Sequence, residues 1–120
     1  MRKLKILIAE DDESSAMLQQ EIVGKYSKKI VHVYSGVEAV KTCQNDPDFD
    51  LILMDIQMPL MNGYDATQRI RSFNKDVIII AQTAYALEGD REKAITAGCN
   101  DYISKPINQN FLIEMMKKYF

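Results

Sequence analysis

Short apolar runs recur along the chain: KILIA at Lys5–Ala9, IVHVY at Ile30–Tyr34, LILM at Leu51–Met54, VIIIA at Val77–Ala81 and DYIS at Asp101–Ser104. They are short and often β-branched, which predicts strands. The runs over 6–9, 51–54 and 77–81 are apolar on both faces, as a central parallel strand must be. Ile30–Tyr34 is more mixed and suits a sheet edge. The intervening segments have helical spacing. Leu112, Met115, Met116 and Tyr119 follow i, i+3, i+4, i+7. Ala66, Ile70 and Phe73 form a second stripe, Leu18, Ile22 and Tyr26 a third, and Ala39, Val40 and Cys43 a fourth. Each predicts an amphipathic helix lying on a sheet. Ser14 or Ser15 is the expected cap of the first helix. The weakest helix is Asp90–Ala97, with only Ala94, Ile95 and Ala97 to bury and Gly98 to stop it. Five strand–helix units in one short chain imply an α/β fold, a parallel sheet with helices on both faces. Right-handed crossovers leave few topologies.

The chain has 120 residues, 47% hydrophobic and 27% charged, which is globular and enough for one domain. Net charge is −2 and no basic block occurs, which argues against direct nucleic-acid or anionic-membrane binding. The longest charge-free stretch is Val77–Leu87, far too short to span a bilayer. The N-terminus lacks the small-residue cleavage site of a signal peptide. Cys43 and Cys99 have no metal spacing and are too few for a disulfide scaffold, so they read as thiols in a reducing cytosol. The expected location is therefore cytoplasmic.

The chemistry follows the strands. The first run ends in Glu10-Asp11-Asp12, the third in Asp55, the fourth in Gln82-Thr83 and the fifth in Lys105-Pro106. In an open parallel sheet these positions share the carboxyl edge, where such folds bind ligands. If the first and third strands are neighbours, Asp11 and Asp55 come within reach of one ion. Carboxylates gathered at one edge repel and need a counter-charge. An all-oxygen ligand set favours a hard cation, and Mg²⁺ fits best because it keeps waters for an incoming phosphate. A carboxylate nucleophile, Mg²⁺, the Lys105 ammonium and the Thr83 hydroxyl together describe a site that accepts a phosphoryl group.

Taken singly, each residue has a plainer reading. The acidic triplet could open a helix, Asp55 could serve a turn, Thr83 could be a β-branched strand residue, and Lys105 could be a solvated loop cation. Tyr102 is most plainly a half-buried strand aromatic, and His32 a surface strand residue rather than a phosphohistidine. The methionines, Met115 and Met116 among them, read as packing residues.

Four motifs in order, ILIAEDDE, LILMDIQMPLMNGYD, IIIAQTAYA and AGCNDYISKPI, make the chain resemble the receiver domain of two-component response regulators. The match covers essentially the whole chain. The resemblance implies a flavodoxin-like, doubly wound sheet of five parallel strands in the order 2-1-3-4-5, with five helices on both faces. It implies that Asp55 is the phosphorylated aspartate. Asp11 would ligate Mg²⁺ directly, Glu10 would assist, and Gln57 would offer its backbone carbonyl. Thr83 and Lys105 would hold phosphoryl oxygens, and Tyr102 would be the switch aromatic that turns inward as Thr83 moves. The Lys105-Pro106 bond is often cis in this family. Asp12 is an extra acid, expected to point away from the metal and towards the first helix. Gln57 and Tyr85 occupy positions that tune hydrolysis of the acyl phosphate, and the bulk of Tyr85 predicts slow hydrolysis.

The implied donor is a histidine kinase or a histidine phosphotransfer domain. The implied output is a change in the face made by the fourth helix, fifth strand and fifth helix, through which a homodimer is also an option. The chain reads as one receiver domain over 1–120 with no output domain and no membrane segment. It fits the receiver of a hybrid histidine kinase best, including one whose cytoplasmic part is tethered to a membrane. A free single-domain regulator and a truncated one stay open. The expected activity is not that of an enzyme: the domain catalyses only its own phosphorylation and dephosphorylation. Aspartyl phosphatases, the rival class, need a second Asp where this chain has Gln57. Receivers that never become phosphorylated usually lack an acid, the acceptor or the lysine, and all are present here.

Overall fold

The first strand, β1 (Leu4–Ala9), is buried along almost its whole length, and so are β3 (Leu51–Asp55) and β4 (Ile78–Thr83). Side chains on both of their faces need cover, so they occupy the middle of the sheet. In the computed structural model, which describes residues 1–84 and 88–120, β2 (Ser27–Val33) and β5 (Asp101–Ser104) complete a parallel sheet in the order β2-β1-β3-β4-β5. The expected order is therefore observed. Tyr85 lies outside the described residues.

Helices α1 (Glu13–Val23) and α5 (Gln109–Tyr119) cover one face, and α2 (Gly36–Asn45), α3 (Gly63–Arg71) and α4 (Asp90–Ala97) the other. Strand alternation divides the core. Ile6, Ile8, Leu53 and Ile80 meet Ile22, Val23, Leu112 and Met116, while Leu7, Ile52, Ile79 and Ala81 meet Ala39, Val40, Ala66, Ile70 and Ala94. Both cysteines are buried and free, and burial pushes the Cys43 thiol up to about 11, so neither is a reactive thiol.

Several local expectations need correction. The cap of α1 is Asp12, whose carboxylate accepts from Ser15 N–H at 2.8 Å, rather than Ser14 or Ser15. An Asp one position before the helix reaches the orphan donor that a serine inside it cannot. This also confirms that Asp12 turns to the helix. The buried stripe of α1 is Ala16, Gln19, Ile22 and Val23, and Leu18 is 41% exposed. The α1 stripe is rotated because Gln19 is drawn inward. Phe73 is exposed because α3 stops at Arg71, where Ser72 N–H closes onto the Arg69 and Ile70 carbonyls. Ile95 is also exposed, leaving Ala94 and Ala97 as the whole buried face of α4. Strand β2 begins three residues early, at Ser27, with exposed Lys28 and Lys29 that discourage edge-to-edge pairing.

The last strand is fastened by polar groups. Arg71 donates from Nε to Gly98 O and from Nη2 to Asn100 Oδ1, both at 2.8 Å. Buried Asp101 accepts from Arg91 of α4 at 3.1 Å, and from Lys118 at 2.8 Å and the Tyr119 hydroxyl at 2.9 Å on α5. Burial opposes the charge of Asp101. The donors from Lys118, the Tyr102 backbone, Tyr119 and Arg91 outweigh it and bring the carboxyl down to about 2. A depressed folded pKa stabilises above the unfolded value and is lost as pH falls through the folded one. Asp101 should therefore contribute about 2 kcal/mol at pH 7, lost between about pH 4 and pH 2. Urea unfolding should show Asp101→Asn weaker than the parent by that order at pH 7, with the two curves converging near pH 2. Parallel curves across that window would contradict the assignment.

Candidate functional site

The ladder register brings the candidate residues together. Ala9 lies opposite Met54, Asp55 opposite Gln82, and Thr83 opposite Ser104. Glu10, Asp55, Thr83 and Lys105 therefore leave the sheet at one edge. Strand alternation aims Glu10 and Asp55 to the same side, in line with Ile8 and Leu53. The chain beyond Asp55 turns sharply. Ile56 N–H bonds Gln82 O, and Gly63 N–H bonds Ile56 O, each at 2.9 Å. A Cβ at Gly63 would sit 2.3 Å from Asp55 O, so only glycine lets α3 start against the Asp55 backbone.

Glu10 is fully buried and Asp55 is 3% exposed, whereas Asp11 is exposed. Their carboxylate oxygens lie within 4.8 Å of one another. Lys105 Nζ bonds Glu10 Oε1 and stands 3.5 Å from Asp55 Oδ2. Glu10 Oε1 also accepts from Gln19 Nε2 at 3.1 Å, and its Oε2 accepts from Asp12 N–H at 3.2 Å. Gln82 Nε2 in turn donates to Gln19 Oε1 at 3.1 Å. The Thr83 hydroxyl donates to Gln57 Oε1 at 3.0 Å. The Lys105-Pro106 peptide bond is cis.

Burial, the hydrogen bond to Glu10 and its charge push the Asp55 carboxyl up to about 7; Lys105 acts against them and Asp11 with them. One lysine thus leaves the acidic edge short of positive charge. The three carboxylates present only oxygen, and one is open to solvent, so the donor set suits a hard divalent cation that retains waters. Mg²⁺ fits these residues.

Not every candidate sits at this edge. Tyr102 lies on β5 opposite Ala81, half-buried against the cluster beneath α3 and α4, with Tyr64 nearby. Its hydroxyl oxygen is buried without a hydrogen-bond partner among the described residues. His32 is half-buried rather than on the surface. Its Nε2 lies 2.8 Å from Glu10 O and its ring 4.2 Å from that of Tyr34. Gln19 was legible only as a polar residue on an otherwise apolar stripe, in step with Ala16 and Val23.

A carboxyl raised above its unfolded value costs stability as pH climbs from the unfolded to the folded pKa. In chelator, Asp55→Asn should therefore be more stable than the parent at pH 8, on the order of 4 kcal/mol, with the gain gone by about pH 4. Denaturant midpoints at the two pH values test this. An Asn variant no more stable at pH 8 would show that Lys105 already balances the edge.

Known proteins share this arrangement. Residues 6–117 match the family model of the response regulator receiver domain. Hybrid signal transduction histidine kinase G of Dictyostelium discoideum is 41% identical across 98% of this chain, which spans only 4% of that protein. The polar-differentiation response regulator DivK of Brucella ovis is 34% identical, covering 95% of this chain and 94% of DivK. The receiver domain of sensor histidine kinase PA1611 from Pseudomonas aeruginosa PAO1, solved with a magnesium ion in its active-site cleft, superimposes with a TM-score of 0.86 at 33% identity over 98% of this chain and 97% of that one. A chain from the Saccharomyces cerevisiae complex of histidine phosphotransfer protein Ypd1 with the Ssk1 receiver domain gives 0.89 at 31% identity, over 98% and 89%. With this family match and the carboxyl-edge site, the chain belongs to the response regulator receiver domains, the signalling switches of two-component phosphorelays.

Proposed function

We propose that Asp55 is the phosphoacceptor of this receiver, taking its phosphoryl group from a phosphohistidine on a kinase or histidine phosphotransfer partner. The observation that carries the reading is the setting of Asp55: a buried carboxylate ending a central strand, beside Glu10 and Asp11 and 3.5 Å from the Lys105 ammonium. A carboxylate oxygen of Asp55 attacks phosphorus, the phosphorus–nitrogen bond breaks, and the imidazole leaves with the electron pair and is protonated. Glu10, Asp11, Asp55 and the Gln57 carbonyl would hold Mg²⁺. Bound there, the ion supplies neutralisation of the charge on the phosphoryl oxygens. Lys105 and Thr83 take the remaining oxygens. The domain is not a turnover enzyme in this reading; it catalyses only its own phosphorylation and dephosphorylation.

Both groups start with other partners: Lys105 with Glu10, and the Thr83 hydroxyl with Gln57 Oε1. Phosphorylation gives them a better acceptor, and contacts made in only one state shift the equilibrium between states. The change reaches α4, which buries only two alanines, Tyr102 on β5, and α5. Exposed Ile95 and Phe111 on that face support its use as a contact surface, a second copy included. A cleft of about 70 Å³ joins Leu18 of α1 to Lys105, Pro106 and Ile107, and supports approach of the donor along α1. The similarity to hybrid kinase G supports a receiver excised from a hybrid kinase, and a cytoplasmic location is part of that reading. Among the described residues no helix is long and apolar enough to cross a membrane.

Intact-mass measurement after incubation with acetyl phosphate should show one phosphoryl adduct that needs Mg²⁺ and is absent from Asp55→Asn. An adduct that persists in the Asn variant would reject Asp55 as the acceptor. Thr83→Ala should still accept the group but lose most of the amide shifts on α4, β5 and α5. A full phosphorylated-state amide spectrum in that variant would reject the coupling.

A further inference from the structure

Gln19 and Gln82 are both fully buried, on different elements, and both lie outside the acceptor chemistry just described. Buried amides are costly unless each polar atom finds a partner. Three of the four here do. Gln19 Nε2 donates to Glu10 Oε1, and Gln82 Nε2 donates to Gln19 Oε1, each at 3.1 Å. The fourth, Gln82 Oε1, is buried without a partner among the described residues.

The direction of this chain of amides is forced from one end. An ionised carboxylate only accepts, so Gln19 must turn its NH₂ group to Glu10. Its carbonyl then faces Gln82, which must present its own NH₂ group. The carbonyl of Gln82 is left over. The cost of an orphaned acceptor falls on β4 for the sake of a donor held on Glu10 across the sheet.

Glu10 has a specific need for that donor. Its Oε1 is shared between Gln19 and Lys105, and its Oε2 has the Asp12 N–H. In the proposed reaction Lys105 transfers to the phosphoryl group. Gln19 is then what remains on Oε1. We propose that Gln19, braced by Gln82, is a positioning residue: it holds the Glu10 carboxylate in the orientation that receives Mg²⁺, independently of Lys105. Hydrogen-bond partners behind a metal's direct ligands fix ligand orientation, and their loss commonly weakens affinity 10–100-fold.

This inference rests on the metal-binding reading of the site, and the test separates the two. Mg²⁺ affinity is measured by calorimetry on the parent, Gln19→Leu/Gln82→Leu, Gln82→Met and Asp11→Asn. The double variant removes both amides together and leaves no orphaned partner between them. Its metal-free thermal midpoint should stay within a few degrees of the parent or rise, while Mg²⁺ binds about tenfold more weakly. Gln82→Met keeps Gln19 but removes its brace, so its affinity should fall between parent and double variant; it serves also if the double variant does not fold. Amide shifts of Asp11 and Asp12 on Mg²⁺ addition should weaken in step. Equal affinity, within twofold, in a folded double variant, or in Gln82→Met if that alone folds, overturns the positioning role while Asp11→Asn still abolishes binding. A parent that binds no Mg²⁺ overturns both readings.

Discussion

The structure turns on the mutual repulsion of Glu10, Asp11 and Asp55 at the carboxyl edge of neighbouring strands. Two of the three are buried, so water does little to screen them. The sheet order imposes the juxtaposition: β1 and β3 pair directly, and residues that end them must emerge side by side. Relief comes from Lys105, which follows β5, two strands away from β3. Alternate strands stand about 10 Å apart, so the lysine must reach back over the end of β4. Its ammonium lies 3.5 Å from Asp55 and bonds Glu10 more closely. One monovalent cation against three acids leaves a deficit, and it adds to the burial that chiefly raises the Asp55 carboxyl. A divalent cation fits the same deficit.

The two halves of the sheet are built differently. Large aliphatic side chains pack around β1 and β3 and also beneath β5 and α5, with Ile103, Leu112, Ile113 and Met116 buried, which gives the carboxylates fixed positions. The β5 side adds polar contacts to that packing: Arg71 to Gly98 and Asn100, and Asp101 to α4 and α5. Hydrogen-bonded links of that kind can be exchanged without opening a close-packed core. Lys105 and Tyr102 belong to the half that carries these added polar contacts, and the acids to the other. In the proposed switch, the groups that must move are on the side whose attachments can be rearranged.

This division explains what the sequence disclosed. Fully apolar runs fixed β1, β3 and β4, and the residues that end them, because a strand buried on both faces has one way to read. The site followed from those ends. Helix faces were harder. Leu18, Phe73 and Ile95 keep the right period yet stay exposed, because one polar residue or one early stop rotates or truncates a helix that apolar spacing alone describes loosely. Gln19 is the instructive case. Spacing favoured Leu18 for the interior, whereas Gln19 lies inside and donates to Glu10.

That rotation links the helix to the site chemistry. A leucine facing inward would have enlarged the apolar core between α1 and the sheet and left the Glu10 carboxylate to Lys105 and the Asp12 N–H. Lys105 is a poor permanent partner, since the proposed reaction requires it elsewhere. A neutral amide has no competing demand: it cannot be drawn to a phosphoryl group as an ammonium can, and it adds no charge to an edge already unbalanced. The interior gives up apolar burial at Gln19 and hydrogen-bond satisfaction at Gln82, and Glu10 gains a neutral partner that the proposed reaction does not call away.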